Sequence, residues 1–145
     1  MPFARHAGWS ATMLWLGIAV AFADGIEPGL WKTITRTETN GMAAPQRESV
    51  RCLTAEQAQD VATTFSPVMQ TINSECAPIE RSLVGGKLSW RLVCKGQLDM
   101  ELAGDYTFDS PRHYTATVRN RAAMAGMPMA NVVSTLEGQW VSACE

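Results

Sequence analysis

Four cysteines constrain the fold of this chain more than any other feature: Cys52, Cys76, Cys94 and Cys144. They all follow an apolar segment near the amino terminus, and an even number of cysteines in a small exported domain is typical of two disulfides. A zinc site or a redox pair would favour cysteines separated by two residues, and here the spacings are wide and irregular. We therefore expect two structural disulfides, for which three pairings exist.

The apolar segment has the features of a cleaved signal peptide. Arg5 and His6 precede an uncharged run (9–22), and Ala21-Phe22-Ala23 is the small-x-small pattern that signal peptidase recognises. The run is shorter than the roughly 20 residues that span a membrane, and it lacks the polar face of an uncleaved amphipathic anchor. We predict a signal peptide over residues 1–23 and a single disulfide-bonded β domain over residues 24–145, periplasmic or secreted, with no transmembrane segment.

A predicted hairpin selects one of the three disulfide pairings. Two strand-like runs flank Gly85-Gly86, and a Gly-Gly pair supplies the positive φ angles that a tight hairpin turn requires. Counting outward from this turn, Cys94 falls one residue away from opposing Cys76. A one-residue slip, of the kind that a bulge produces, brings these two sulfurs together. The remaining pair is then Cys52 with Cys144.

Strand patterns dominate the rest of the chain. Residues 29–39 are rich in Thr and Ile, as strands are, and residues 46–53 read as their partner. Apolar and polar residues alternate over 98–108 and again over 114–122. A last strand is expected over 131–144, after a loop around Gly126 and Pro128.

One segment of the sequence has the features of a helix. Ala55 to Ala62 consists mostly of good helix formers, and Thr54 and Gln57 stand at the two positions of a capping box. The segment that follows, 63–74, is ambiguous between a second helical turn and a loop.

These patterns predict a mainly β fold, an antiparallel meander of about seven strands with one short helix. Because the apolar side chains lie on one side of each strand, the sheet must curl over itself or be covered by the helix. We expect a strongly curved sheet or an open barrel, similar in shape to small lipid-carrier barrels, with a β-sandwich as the alternative.

Composition and motifs exclude several functions. The chain is 46% hydrophobic and 18% charged with a formal net charge of -2, so it lacks the clustered Lys and Arg on which nucleic-acid binding depends. The GxSxG and HExxH patterns and the Gly-rich phosphate loop are missing from the sequence. We therefore expect neither an enzyme nor a cofactor nor a nucleic-acid partner.

Two polar features point toward chemistry, but each has a simpler explanation. His113 stands beside a predicted turn, where a surface residue is the commoner case. Four carboxylates alternate along one predicted strand and suggest a Ca²⁺ site or a glycosidase pair, although a solvated face opposite arginines such as Arg91, Arg119 and Arg121 is the favoured explanation. These carboxylates are Asp99, Glu101, Asp105 and Asp109.

Met124, Met127 and Met129 form the most unusual local feature. Thioether sulfurs are soft ligands that suit Cu(I), and Met42 would add another if the two loops were neighbours. Methionine also fills gaps at the rim of a core and at adaptable surfaces. Soft-metal (copper) binding is therefore the alternative hypothesis for function.

Aromatic residues support the leading hypothesis, a non-enzymatic periplasmic binding or interaction module for an apolar small molecule or a protein partner. An aromatic-lined curved sheet can hold an apolar ligand, although the same residues can simply fill a small core. The possible ligand face consists of Trp31, Trp90, Tyr106, Phe108 and Trp140.

Several motifs in succession resemble the bacterial domain-of-unknown-function family 3617. They are Pro28-Gly29-Leu30-Trp31-Lys32, Arg51-Cys52-Leu53-Thr54-Ala55-Glu56-Gln57, Leu88-Ser89-Trp90 before Cys94, a Gly-Met-Pro-Met segment and a final Cys. The resemblance implies a small exported protein of Gram-negative bacteria, with no catalytic residues to carry over. It also implies that the Gly-Met-Pro-Met segment is an ordinary feature of such proteins, without a metal role.

Overall fold

The structure, a computed structural model, describes residues 25–68 and 74–145, so the predicted signal peptide lies outside the described residues. Two short helices are present, α1 Ala55–Gln59 and α2 Val61–Thr64. The strands are β1 Gly29–Thr39, β2 Met42–Ala43, β3 Arg47–Leu53, β4 Ser74–Cys76, β5 Glu80–Val84, β6 Lys87–Gly96, β7 Leu98–Ser110, β8 His113–Met124 and β9 Met127–Ser142.

All the strands belong to one antiparallel sheet in the order β2-β1-β9-β8-β7-β6-β4. Strand β3 also pairs with β1, beside β2, and β5 also pairs with β6, beside β4. The sheet is therefore seven strands wide and open, because the strands at its two edges do not pair with each other. The expected mainly β fold with an open, meandering sheet is confirmed, and a single sheet replaces the alternative of a sandwich.

The sheet is curved so that strands far apart in its order face the same space. Trp90 of β6 and Ser49 of β3 line one cavity, together with residues of the strands between them. Neighbouring strands lie about 4.8 Å apart, so a flat sheet would separate these two strands by about 24 Å. We call the side that lines this cavity the concave face and the opposite side the convex face.

The predicted hairpin and its one-residue slip are present. Val84 opposes Lys87 next to the turn at Gly85 and Gly86, whereas farther along the hairpin the register moves by one residue and Cys76 opposes Cys94. Cys76 is bonded to Cys94 and Cys52 to Cys144, which is the pairing expected from the hairpin.

The helical segment differs from the single helix expected over residues 55–62. The capping box is formed, since Thr54 Oγ1 accepts from the Gln57 N–H at 3.2 Å and Gln57 Oε1 accepts from the Thr54 N–H at 3.1 Å. At Asp60, however, the backbone leaves the helical region (φ -104°, ψ 68°), and its side chain accepts from the Thr63 N–H at 3.0 Å. Asp60 thus ends the first helix and caps a second, because short acidic side chains compete for backbone N–H groups.

The loop expected around Gly126 and Pro128 is instead a tight hairpin turn. Ala125 and Gly126 adopt positive φ angles of 49° and 78°, which suit a two-residue turn between twisted strands. Strand β9 therefore begins at Met127, and Pro128 is tolerated in it because the register shifts there, opposite Ala122 and Ala123.

Two cross-strand pairs of an aromatic residue with glycine let the concave face pack closely. Trp90 opposes Gly104, and a Cβ at Gly104 would overlap the Trp90 indole. Tyr114 opposes Gly138 in the same way. The missing side chain at Gly104 thus makes room for a ring.

We expect Gly104→Ala to lower the free energy of unfolding by about 1–3 kcal/mol, because the added methyl group overpacks the Trp90 site. Urea unfolding followed by circular dichroism measures this change. Thr107→Ala, on the convex face of the same strand, is the control and should cost less than about 0.5 kcal/mol. Equal stability of Gly104→Ala and the wild type would contradict the packing described.

The disulfide pairing is tested by Cys76→Ala. We expect iodoacetamide in urea without reductant to label Cys94 alone, with Cys52 and Cys144 remaining bonded, and peptide mass spectrometry reads the labelled site. The wild-type protein should take no label. Labelling of Cys52 in place of Cys94 would show a different connectivity.

Candidate functional site

An aromatic cluster closes one end of the concave face. Phe65, directly after α2, lies with its ring centroid 5.4 Å from Tyr106, 5.3 Å from Phe108 and 5.1 Å from Tyr114. Edge and tilted contacts of this kind stabilise beyond the area that they bury. Trp31 extends the cluster, 5.7 Å from Tyr114. The helical segment therefore covers this end of the sheet through one inserted ring.

Beyond this cluster the concave face holds a cavity of about 420 Å³, which we call the concave groove. Its volume falls within the range of small-molecule sites, about 300–1,000 Å³. Aromatic and aliphatic side chains form most of it: Trp31, Leu53, Phe65, Pro67, Trp90, Leu102, Tyr106, Tyr114, Val118 and Leu136. Hydroxyl groups and one cation lie toward β1 and β3: Thr33, Thr35, Ser49 and Arg51. On the helical side, the hydroxyls of Thr64 and Ser66 already donate to the carbonyls of Gln57 and Ala62.

Trp90 presents an apolar surface to the groove. Its Nε1 is buried without an acceptor among the described residues, and the ring edge that carries Nε1 lies against Gly104. A buried donor without an acceptor costs about 1–3 kcal/mol. The indole is thus held against the sheet by packing alone.

The polar side of the groove is built on two hydroxyl groups. Thr33 Oγ1 and Tyr114 Oη lie 3.0 Å apart in a hydrogen bond. Burial raises the pKa of Tyr114, and the charge of Arg51 acts in the opposite direction. Burial also raises the pKa of Tyr106 to about 12. Both phenols therefore remain protonated at neutral pH and can donate hydrogen bonds.

The predicted ligand face is only partly assembled. Trp31, Trp90 and Tyr106 line the concave groove, whereas Phe108 packs against Phe65 in the cluster at its end. Trp140 lies apart: its Nε1 donates to the Pro28 carbonyl at 3.1 Å, and the Arg112 guanidinium stacks on its ring at 4.2 Å.

Most of the groove was missed by sequence reasoning, including Phe65, Tyr114, Arg51 and Thr33. Tyr114 was recognisable as the first apolar member of an alternating strand, directly after the turn that aligns it with Phe108. Phe65 stands in the segment without a clear pattern, so no sequence signal connects it with the groove.

The acidic side chains of β7 form ion pairs with neighbouring residues. Asp99 Oδ2 lies 3.2 Å from Lys95 Nζ, and Glu101 Oε1 lies 3.0 Å from an Arg91 nitrogen. Asp105 Oδ2 lies 3.2 Å from Arg119 Nη1. Arg121 opposes Glu101 in register. These ion pairs form the solvated face that the sequence analysis offers as the simpler explanation of the four carboxylates. Within the described residues, no group of three His, Cys, Asp or Glu side chains could hold a metal ion.

The three methionines stand at the end of the sheet opposite the helices. Met124 opposes Met127 beside the β8–β9 turn, and both are exposed, as are Met129 and Met42. The hypothesis that they bind a soft metal stays a prediction.

A second cavity, of about 520 Å³, lies on the convex face. The ion-paired Lys95, Asp99 and Glu101 border it, together with Val93 and Ala123. No aromatic side chain lines it. The concave groove is smaller, but it combines a large apolar surface with a few polar groups on one side, as ligand sites do.

The fold and the groove define a small disulfide-linked protein built on one open, curved antiparallel sheet. The chain belongs to a family of proteins of unknown function, DUF3617, whose profile matches residues 26–144. The resemblance drawn from its motifs is thereby confirmed. Comparisons with curated proteins and with solved structures find no match. Among the residues described, no helix is long and apolar enough to cross a membrane.

His113 makes stability depend on pH. Its Nδ1 lies 2.7 Å from Asp109 Oδ1 and its Nε2 3.5 Å from Glu137 Oε1, and the hydrogen bond with Asp109, followed by the contact with Glu137, raises its pKa above the ordinary 6.5. A raised pKa in the folded state stabilises the protein fully below pH 6.5, and this stabilisation is lost as the pH rises through the folded-state value.

We expect the wild type to lose about 0.5 kcal/mol of unfolding free energy relative to His113→Gln between pH 6 and pH 8, the scale of a solvent-screened ion pair. Parallel urea titrations at several pH values measure the difference. A difference that stays constant, or that grows with pH, would rule out the charged His113 pairs.

Proposed function

We propose that this chain is a non-enzymatic binding protein of the periplasm or the extracellular space, and that it holds an elongated apolar small molecule in the concave groove. The observation that carries the proposal is the groove itself, about 420 Å³ beside Trp90, Leu102, Val118 and Leu136. Close packing is the rule in protein interiors, and voids larger than a water molecule are few. A groove of this size on the main apolar face supports a role in binding.

An apolar chain is the occupant that this lining favours. Each methylene group transferred from water to such a surface contributes about 0.8 kcal/mol. A chain of about 15 methylene groups therefore contributes about 12 kcal/mol, which leaves micromolar affinity after an immobilisation cost of about 4 kcal/mol. The groove is recessed between strands and the segment after α2, which favours a small molecule over the flat contact of a protein partner.

The two disulfides support the proposed location. Such bonds persist in oxidising compartments and are rare in the cytosol. Apolar molecules dissolve poorly in the aqueous space outside the cytoplasm, so a protein that binds them there would keep them in solution.

Contact quenching of tryptophan tests this proposal. Bromine atoms quench an indole that they touch, and both Trp31 and Trp90 line the groove. The probe is the methyl ester of 9,10-dibromostearic acid, which is uncharged, added below its solubility limit to the purified, oxidised protein. We expect saturable quenching in the wild type. We expect roughly tenfold weaker binding in Val118→Gln, because the ligand would desolvate an unpaired amide.

The matched control is Ala123→Gln, on the convex face of the same strand and at the second cavity. It should bind the ester as the wild type does, and circular dichroism should show both variants folded. Quenching that does not saturate, or that is lost in Ala123→Gln and retained in Val118→Gln, would overturn the proposal. Leu136→Gln supplies a second test on another strand of the groove.

A further inference from the structure

We propose that the ligand of the concave groove ends in an anion, a carboxylate or a phosphate on an apolar chain, and that Arg51 binds this anion at the β3 edge. This inference rests on the proposed function and names its substrate class. Its basis is the distribution of charge between the two faces of the sheet.

The curved sheet separates its charges by sign. Residues that oppose each other on antiparallel strands project to the same face, so the register assigns every paired strand residue to a face. The carboxylates that the strands hold in register lie on the convex face: Glu38, Glu48, Glu75, Glu80, Asp99, Glu101, Asp105 and Glu137. The concave face has no carboxylate in register among the described strands and carries three cations: Arg47, Arg51 and Arg81.

Of these cations, Arg51 is the one that lines the groove. It opposes Trp31 in register, next to the β1 residues that supply the hydroxyl groups. The convex-face Lys32 and Arg91 lie within 3.0 Å of a carboxylate oxygen, whereas Arg51 forms no ion pair with any described residue. Its guanidinium is therefore available at the mouth of the groove, where a planar anion can accept two hydrogen bonds from it.

The hydroxyl pair beside Arg51 completes a site for an anion. In the hydrogen bond between Thr33 and Tyr114 only one hydroxyl hydrogen is used, so the other can be donated to a ligand. Ser49 adds a further donor on the same strand as Arg51. Donors thus gather toward β1 and β3, while Leu102, Val118 and Trp90 hold the apolar part. An amphiphile with one acidic end matches both halves of the groove.

The experiment compares two probes that differ only in charge, 9,10-dibromostearate and its methyl ester, at pH 8 and low salt. We expect the wild type to bind the carboxylate roughly tenfold more tightly than the ester. Arg51→Gln should bring the ratio of the two affinities close to one, whereas Arg51→Lys should retain part of the preference. Arg36→Gln, on the convex face of the adjacent strand, is the matched control and should keep the full preference.

Equal binding of the two probes by the wild type, or an undiminished preference in Arg51→Gln, would overturn this inference while leaving the proposed function intact. Failure of the wild type to bind the ester saturably would overturn the proposed function instead. Competition by unlabelled stearate and by lysophosphatidate then distinguishes the two anions: displacement by the first indicates a free acid, and stronger displacement by the second indicates a phosphate headgroup.

Discussion

Burial of a single sheet face is the constraint on which this structure depends. An open sheet with one apolar side needs a second layer, and within residues 25–68 and 74–145 two short helices are all that covers it. The insertion of Phe65 among Tyr106, Phe108 and Tyr114 covers one end of the concave face. The rest is closed by curvature, and the space that curvature leaves is the concave groove. The groove is thus a direct consequence of a sheet larger than its covering layer.

The two disulfides reinforce the parts of the sheet that helix packing does not reach. The bond between Cys52 and Cys144 spans 92 residues and ties the β3 edge to the carboxyl terminus, while the bond between Cys76 and Cys94 spans 18 residues and holds the short β4 against β6. In the chain-entropy account, loops of these lengths contribute about 4–5 and about 3 kcal/mol. Both edges of the open sheet are therefore crosslinked, which limits the separation of edge strands.

Charge placement gives the two faces different roles. On the convex face, ion pairs such as Glu101 with Arg91 and Asp105 with Arg119 satisfy the charges in water. On the concave face, Arg51 has no ion-pair partner among the described residues. It lies beside hydroxyl groups in a groove whose other side chains are mostly apolar. A face on which cations outnumber anions attracts an acidic ligand, even though the net charge of the chain is negative.

The sequence by itself determined the features that depend on neighbours along the chain. Alternation placed the strands, Gly85-Gly86 set a hairpin register within one residue of aligning Cys76 with Cys94, and the capping box began the helix at Thr54. Only the tertiary structure decided how far the sheet curves, that Trp140 packs outside the groove, and that Phe65, Thr33 and Arg51 belong to it. The physical reason is that periodicity reports which side of a strand is apolar, whereas a cavity depends on distances between strands that are remote in the chain.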